Sequence, residues 1–147
     1  MFKIKKILLI CFILTCCSDY LWAQEVSIEG ENGGIITLSV TEHKIRKRKA
    51  IDRAVQDAFF QLMFRGVPGS AEYSRPLLGT DENTQSSRRQ YYDNLINSGR
   101  AYTFINYSNL NRYYYYRREA IVVLSINVQA LTTDLESKNI YRRFGLQ

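Results

Sequence analysis

Between Thr41 and Gly66 the apolar residues recur at the spacing of one helix face. With Ile51 as origin and 100° per residue, Ala54, Val55, Ala58, Phe59 and Leu62 all fall within about 80° of it. The pattern predicts a long amphipathic helix over 44–65, with Thr41 as N-cap, Gly66 just beyond the end and Pro68 blocking continuation. Residues 35–40, IITLSV, alternate instead, with Ile36, Leu38 and Val40 opposed to Thr37, Ser39 and Thr41, as in a half-buried strand. The run 112–128, RYYYYRREAIVVLSINV, also has period two. Its even positions (Tyr114, Tyr116, Ala120, Val122, Leu124, Ile126 and Val128, interrupted by Arg118) form a core face, which leaves Tyr113, Tyr115 and Arg117 on a mixed outer face. Residues 100–109, rich in β-formers including Tyr102, Phe104 and Tyr107, supply its hairpin partner, with a turn near Asn109–Asn111.

Two shorter helices complete the pattern. One spans RRQYYDNLINSG, with Leu95 and Ile96 inward and Gly99 as its stop; the other spans ALTTDLESKNI, with Leu131 and Leu135 inward. The acidic, glycine-containing stretch 24–34 reads as a mobile lead-in, and 66–87, which holds both prolines, as a long irregular connector. The fold class is therefore α+β: a short antiparallel sheet of about three strands packed on one long helix, with two shorter helices.

Composition adds an address. Lys3, Lys5 and Lys6 precede an apolar run, Ile7–Cys17, and Ala23 follows a polar interval, which is the layout of a secretory leader over residues 1–23. The run is too short to span a bilayer. Cleavage after Ala23 fits better than a lipid anchor at Cys17, because Leu14 suits lipidation but Cys16 stands where a small residue is usual. Residues 24–147 then form a single exported domain, periplasmic or outer-membrane-associated. All three cysteines (Cys11, Cys16, Cys17) lie in the leader, so the remainder can hold neither a disulfide nor a thiolate zinc site. Removing Lys3, Lys5, Lys6 and Asp19 takes the 20 basic and 14 acidic residues to 17 and 13, a net charge of +4. Anionic envelope components are the natural counter-charge, and nucleic acid is in the wrong compartment.

The order of elements resembles a known family. A helix of the form RKAIDRAVQDAF carries Ala50, Ala54, Val55 and Ala58, and the ending AIVVLSINVQALTTDLE carries Val122, Leu124, Ile126, Val128, Leu131 and Leu135. Together they are similar to the N-terminal domain of the flagellar assembly protein T family and related small envelope lipoproteins. The resemblance implies an α+β envelope module that works through contacts with other subunits, without catalytic residues.

The residues themselves point away from catalysis. His43 is the single histidine, no HExxH or GxSxG is present, and the Gly30–Gly34 stretch lacks the residues of a phosphate loop. Asp52 and Asp57 are about 140° apart on their helix and do not converge as a glycosidase pair. No catalytic, cofactor or metal site is expected, and His43 reads as a helix-start residue. Two features of the long helix are unusual. Lys44, Arg46, Lys47, Arg48 and Lys49 crowd its N-terminus, where the macrodipole disfavours cations, so either the first turn is frayed and solvated or the cluster holds an anionic partner. Phe60 and Phe64 lie opposite the main stripe, to be covered either by the connector or by another subunit. The expected function is an exported, non-catalytic envelope assembly or interaction module, with self-association open. The alternative is a binding module for acidic glycans or lipid headgroups. Partner-binding candidates are Tyr113, Tyr115, Arg117, Phe60 and Phe64.

Overall fold

The computed structural model describes residues 25–79 and 86–140. The leader with Cys17 and Ala23, and the closing YRRFGLQ, lie outside the described residues. Four antiparallel strands run in the order β1 (Glu25–Asn32), β2 (Ile35–Glu42), β4 (Glu119–Asn127), β3 (Ile105–Tyr114). The three helices are α1 (Ala50–Phe60), α2 (Ser87–Asn97) and α3 (Val128–Ser137). Ile36, Leu38 and Val40 of β2 and Ala120, Val122, Leu124 and Ile126 of β4 are fully buried on the sheet face that receives the helices. The fold is α+β as the periodicity implies, with one strand more than expected.

That extra strand is β1. The stretch read as a mobile lead-in pairs with β2 from Glu25↔Thr41 to Asn32↔Ile35. Gly33 and Gly34 join the strands at φ 57° and 79°. Positive φ at both central residues is what a tight hairpin turn requires, and glycine adopts it without steric penalty. The β3–β4 hairpin also differs from expectation. Residues Arg100–Phe104 form a 3-10 turn, and β3 continues through Asn109, which pairs with Val123. Bulges at Ile105/Tyr107 and Leu110/Arg112 absorb Asn106 and Asn111 on this outer strand, so the chain reverses only at 115–118.

The long helix begins later than predicted. Thr41 is a strand residue opposite Glu25 and Ile121. Helical structure starts with a 3-10 turn, Lys47–Lys49, preceded by extended Arg46 and without a side-chain cap. The predicted stripe is the buried one: Ala54, Val55, Ala58 and Phe59, followed by Leu62. Beyond Phe60 the backbone widens into a π turn, Gln61–Arg65, in which Leu62, Met63 and Phe64 are all buried. The connector packs beside this turn, with Leu77 and Leu78 N–H groups donating to the carbonyls of Leu62 (3.1 Å) and Met63 (2.8 Å). At Gly66, φ is 80° and ψ 161°, and a Cβ would stand 2.2 Å from the Ser74 carbonyl oxygen, so only glycine fits the reversal. The Glu31 carboxylate holds the rest, accepting from the Ser70 hydroxyl (3.0 and 3.1 Å), Ala71 N–H (3.0 Å) and Glu72 N–H (3.1 Å).

Helix α2 is capped by the Ser86 hydroxyl, which accepts from Arg89 N–H at 3.2 Å, and ends at Gly99 in the left-handed region. It buries Tyr91, Tyr92 and Leu95, whereas Ile96 is only half-buried. The Tyr92 ring covers Phe60 and Phe64, edge-on at 5.7 Å to each. Tyr91 donates to Asp134 of α3 at 2.5 Å, and Asp134 also meets Arg100 (3.1 Å) and Lys138 (3.3 Å). Burial acts against the charge on Asp134, but the Tyr91 hydroxyl and the two cations prevail and hold its carboxyl below the usual range. Helix α3, capped by Asn127, closes the core with Leu131 and Leu135.

Candidate functional site

The hairpin turn and the start of the long helix meet at one end of the sheet. Ile45 N–H donates to the Arg118 carbonyl at 2.9 Å, and the Tyr113 hydroxyl donates to the Ile45 carbonyl at 2.9 Å. His43 Nδ1 lies 3.3 Å from a Glu119 carboxylate oxygen. Segments far apart in sequence are thereby fixed side by side: five cations over 44–49 and three more, Arg112, Arg117 and Arg118, on the hairpin. All eight are exposed. The carboxylates of this end are Glu25, Glu119 beside His43, the buried Glu42, and Asp52 in the first turn of α1.

Aromatic rings are set among these charges. Tyr113, at the end of β3, is half-buried on the core side opposite Ala120. Tyr115 opens the turn, its ring edge-on to Tyr113 at 4.9 Å and beneath the Lys47 ammonium, 5.8 Å from the ring centre. Tyr115 is 69% exposed and Tyr116 fully so. Tyr114 lies on the open sheet face opposite Glu119, where its hydroxyl receives a bond from Arg112 at 3.0 Å. The expectation that Tyr114 and Tyr116 belong to the core is therefore corrected. Alternation holds only while the chain is a strand, and the strand ends at Tyr114. For the same reason Tyr113, Tyr115 and Arg117 do not share one strand face. Tyr113 supports the turn from beneath, whereas Tyr115 and Arg117 project from it.

The corner violates two local rules. Neither the 3-10 turn nor α1 has a side-chain cap, and Asp52 is the one acidic residue in the first turn of α1, against five cations that face the positive end of its dipole. Among the described residues three non-glycines have positive φ, and two of them, Lys44 (55°) and Arg118 (50°), sit here on facing segments. Unfavourable charge and backbone strain gathered at one place mark a surface shaped for something other than stability.

Phe60 and Phe64 belong elsewhere. Phe64 is 3% exposed and Phe60 half-buried, and the ring that covers both is Tyr92 of α2, a residue overlooked as a core element. Phe64 is thus withdrawn from the partner-binding candidates. A concavity of about 400 Å³ runs beside it between α1 and α2, lined by Arg53, Asp57, Phe60, Arg65, Arg89 and Asp93. Its charges largely satisfy one another: Arg53 meets Asp57 at 3.1 Å, and Arg89 meets Asp93 at 3.2 Å. The guanidinium groups of Arg65 and Arg89 cover the Phe60 ring at 5.2 and 5.6 Å. Burial raises the Asp57 carboxyl, with hydrogen bonding to Glu42 and the charge of Arg53 opposing the shift. Burial and the nearby Asp57 push the Tyr92 phenol up to about 12. Asp52, which accepts from the Tyr102 hydroxyl, takes no part in this groove.

Among the described residues no group of three or more His, Cys, Asp or Glu side chains could hold a metal ion, and no helix is long and apolar enough to cross a membrane. The exposed corner offers cations, phenols and backbone, groups that bind and orient anions. No protein family matches the chain, and neither a curated protein nor a solved structure matches it.

Proposed function

We propose that the protein is an exported, non-catalytic envelope module that binds an anionic partner, an acidic glycan or a lipid headgroup, through its basic, tyrosine-bearing corner. The observation that carries this reading is the convergence of residues 44–49 with the 112–118 hairpin. Eight exposed cations on one corner create a field able to concentrate a polyanion. The arginine forks and phenol hydroxyls supply directional bonds to carboxylate, sulfate or phosphate oxygens. The basic, apolar, leader-like pattern over 1–23 supports the envelope setting. Binding to an acidic oligosaccharide, and to a soluble phosphoglycerol headgroup, measured at about 50 and 300 mM salt, tests the proposal. Contacts of this exposed kind weaken as the screening length shortens. Replacing Lys47, Arg48 and Lys49 together with Gln should abolish binding while the circular dichroism is unchanged. Salt-independent binding, or retention by the triple variant, would refute it.

A further inference from the structure

Resting on that reading, we infer that the anionic partner is a phospholipid surface, met edge-on by this corner with Tyr115 and Tyr116 at headgroup level. Shape carries the distinction. A soluble ligand is usually held in a concavity that buries most of its surface. Here the aromatic residues stand at the apex of a four-residue turn, Tyr116 fully exposed and Tyr115 69% exposed. Tyrosine, with an apolar ring and a polar tip, is the side chain favoured where hydrocarbon gives way to headgroups. Arg117 and Arg118 stand in the turn itself and Arg46–Lys49 on the segment beside it, so the rings are surrounded by cations that an anionic surface would attract.

The chain path adds a second argument. Glu25 pairs with Thr41, so residues 1–24 join the domain at this same end of the sheet. From Cys17 to Glu25 the chain can reach at most about 28 Å. In the lipid-anchored alternative at Cys17 this end would be brought to the bilayer, and a basic patch is the usual complement to one such anchor; after cleavage at Ala23 the basic corner makes the contact alone. The carboxylates here do not cancel the field: Glu25, Glu42, Asp52 and Glu119 are four against eight exposed cations.

The test uses the full chain with bicelles that carry a paramagnetic lipid, either neutral (phosphatidylcholine) or containing about 30% phosphatidylglycerol, with amide line broadening as readout. The leader, with Lys3, Lys5 and Lys6, is the same in the parent and in every variant, so the variants separate the corner's contribution from the leader's. The expected result is broadening at 44–49 and 115–118 in anionic bicelles only, weakened several-fold in the Tyr115→Ser, Tyr116→Ser variant. The Lys47→Gln, Arg48→Gln, Lys49→Gln variant should lower the partition constant for anionic bicelles about five-fold per charge. If broadening falls elsewhere, or is equal in neutral bicelles, the lipid inference is overturned. If anionic bicelles leave the corner untouched while an acidic oligosaccharide still binds it in a salt-dependent way, the lipid inference fails and the anion-binding reading stands. If neither binds, both fail.

Discussion

Replacing Phe64 with Ala should destabilise the protein severely and leave its mass in solution unchanged. Phe64 is 3% exposed, with Phe60 at 5.3 Å and Tyr92 at 5.7 Å from its ring centre. Truncating a buried phenylalanine costs about 3–5 kcal/mol, combining lost transfer energy with the cavity left behind. With about 2.1 cal/mol/K of unfolding entropy per residue over the roughly 110 described residues, each kcal/mol lowers Tm by about 4 °C. The expected fall is therefore about 12–20 °C, and the half-buried Phe60 should give a smaller loss under the same change. Phe64→Leu, which keeps much of the volume, should cost under about 1.5 kcal/mol and guards against a variant that does not fold. Scanning calorimetry with light scattering reads both quantities. An unchanged Tm together with a reduced particle mass would show that Phe64 holds subunits together, and would refute its placement in the core.

Glu31→Ala removes the acceptor that gathers Ser70, Ala71 and Glu72, each bond to the charged group contributing about 1.5–3 kcal/mol; limited proteolysis should then cut the connector, and an unchanged digest would contradict this. Tyr113→Phe deletes one neutral bond to Ile45, which should cost about 0.5–1.5 kcal/mol by chemical denaturation and speed hydrogen exchange of the Ile45 amide. Asp57 titrates higher in the fold than its ordinary 3.8, burial being the largest cause. Its contribution to stability is therefore complete below that value and is lost as pH rises through the folded value. Asp57→Asn removes the dependence, so urea midpoints should rise relative to the parent as pH climbs above about 4 and converge below it; an offset constant with pH would contradict the assignment.

The legible parts of this fold were those where one periodicity ran unbroken over a buried face. Ile36, Leu38 and Val40, the Ala54–Leu62 stripe, and Leu131 with Leu135 were all readable because burial enforces spacing. The misreadings fell where backbone geometry changes. Gly33–Gly34 looked like a flexible lead-in, but it is the tight turn that gives β1 a partner. The asparagines of β3 looked like a turn because Asn favours turns, yet bulges on an outer strand accept it as well. Phe64 fell off the expected stripe because the wheel assumes 3.6 residues per turn, and the π turn at Gln61–Arg65 breaks that count. At the candidate site, the 44–49 cluster and the hairpin tyrosines were each visible separately. Their meeting depends on the long-range register Glu42↔Ala120, which local pattern does not encode.

The strand order has a kinetic consequence. The central pairing of the sheet joins residues 35–42 to residues 120–127, segments about 80 residues apart in the chain. The β1–β2 hairpin can close within microseconds, because its loop is two residues long. It must then wait, with the inner edge of β2 unpaired, until β4 is available at the far end of the sequence. Closing a loop of about 80 residues carries a large entropic cost before any contact repays it, so the rate-limiting step should be this late docking. During that interval Ile36, Leu38 and Val40 are presented on an open strand, the condition in which a chain pairs with a neighbour. A chain shortened before residue 120 would stay in that waiting state, so its expected fate is aggregation.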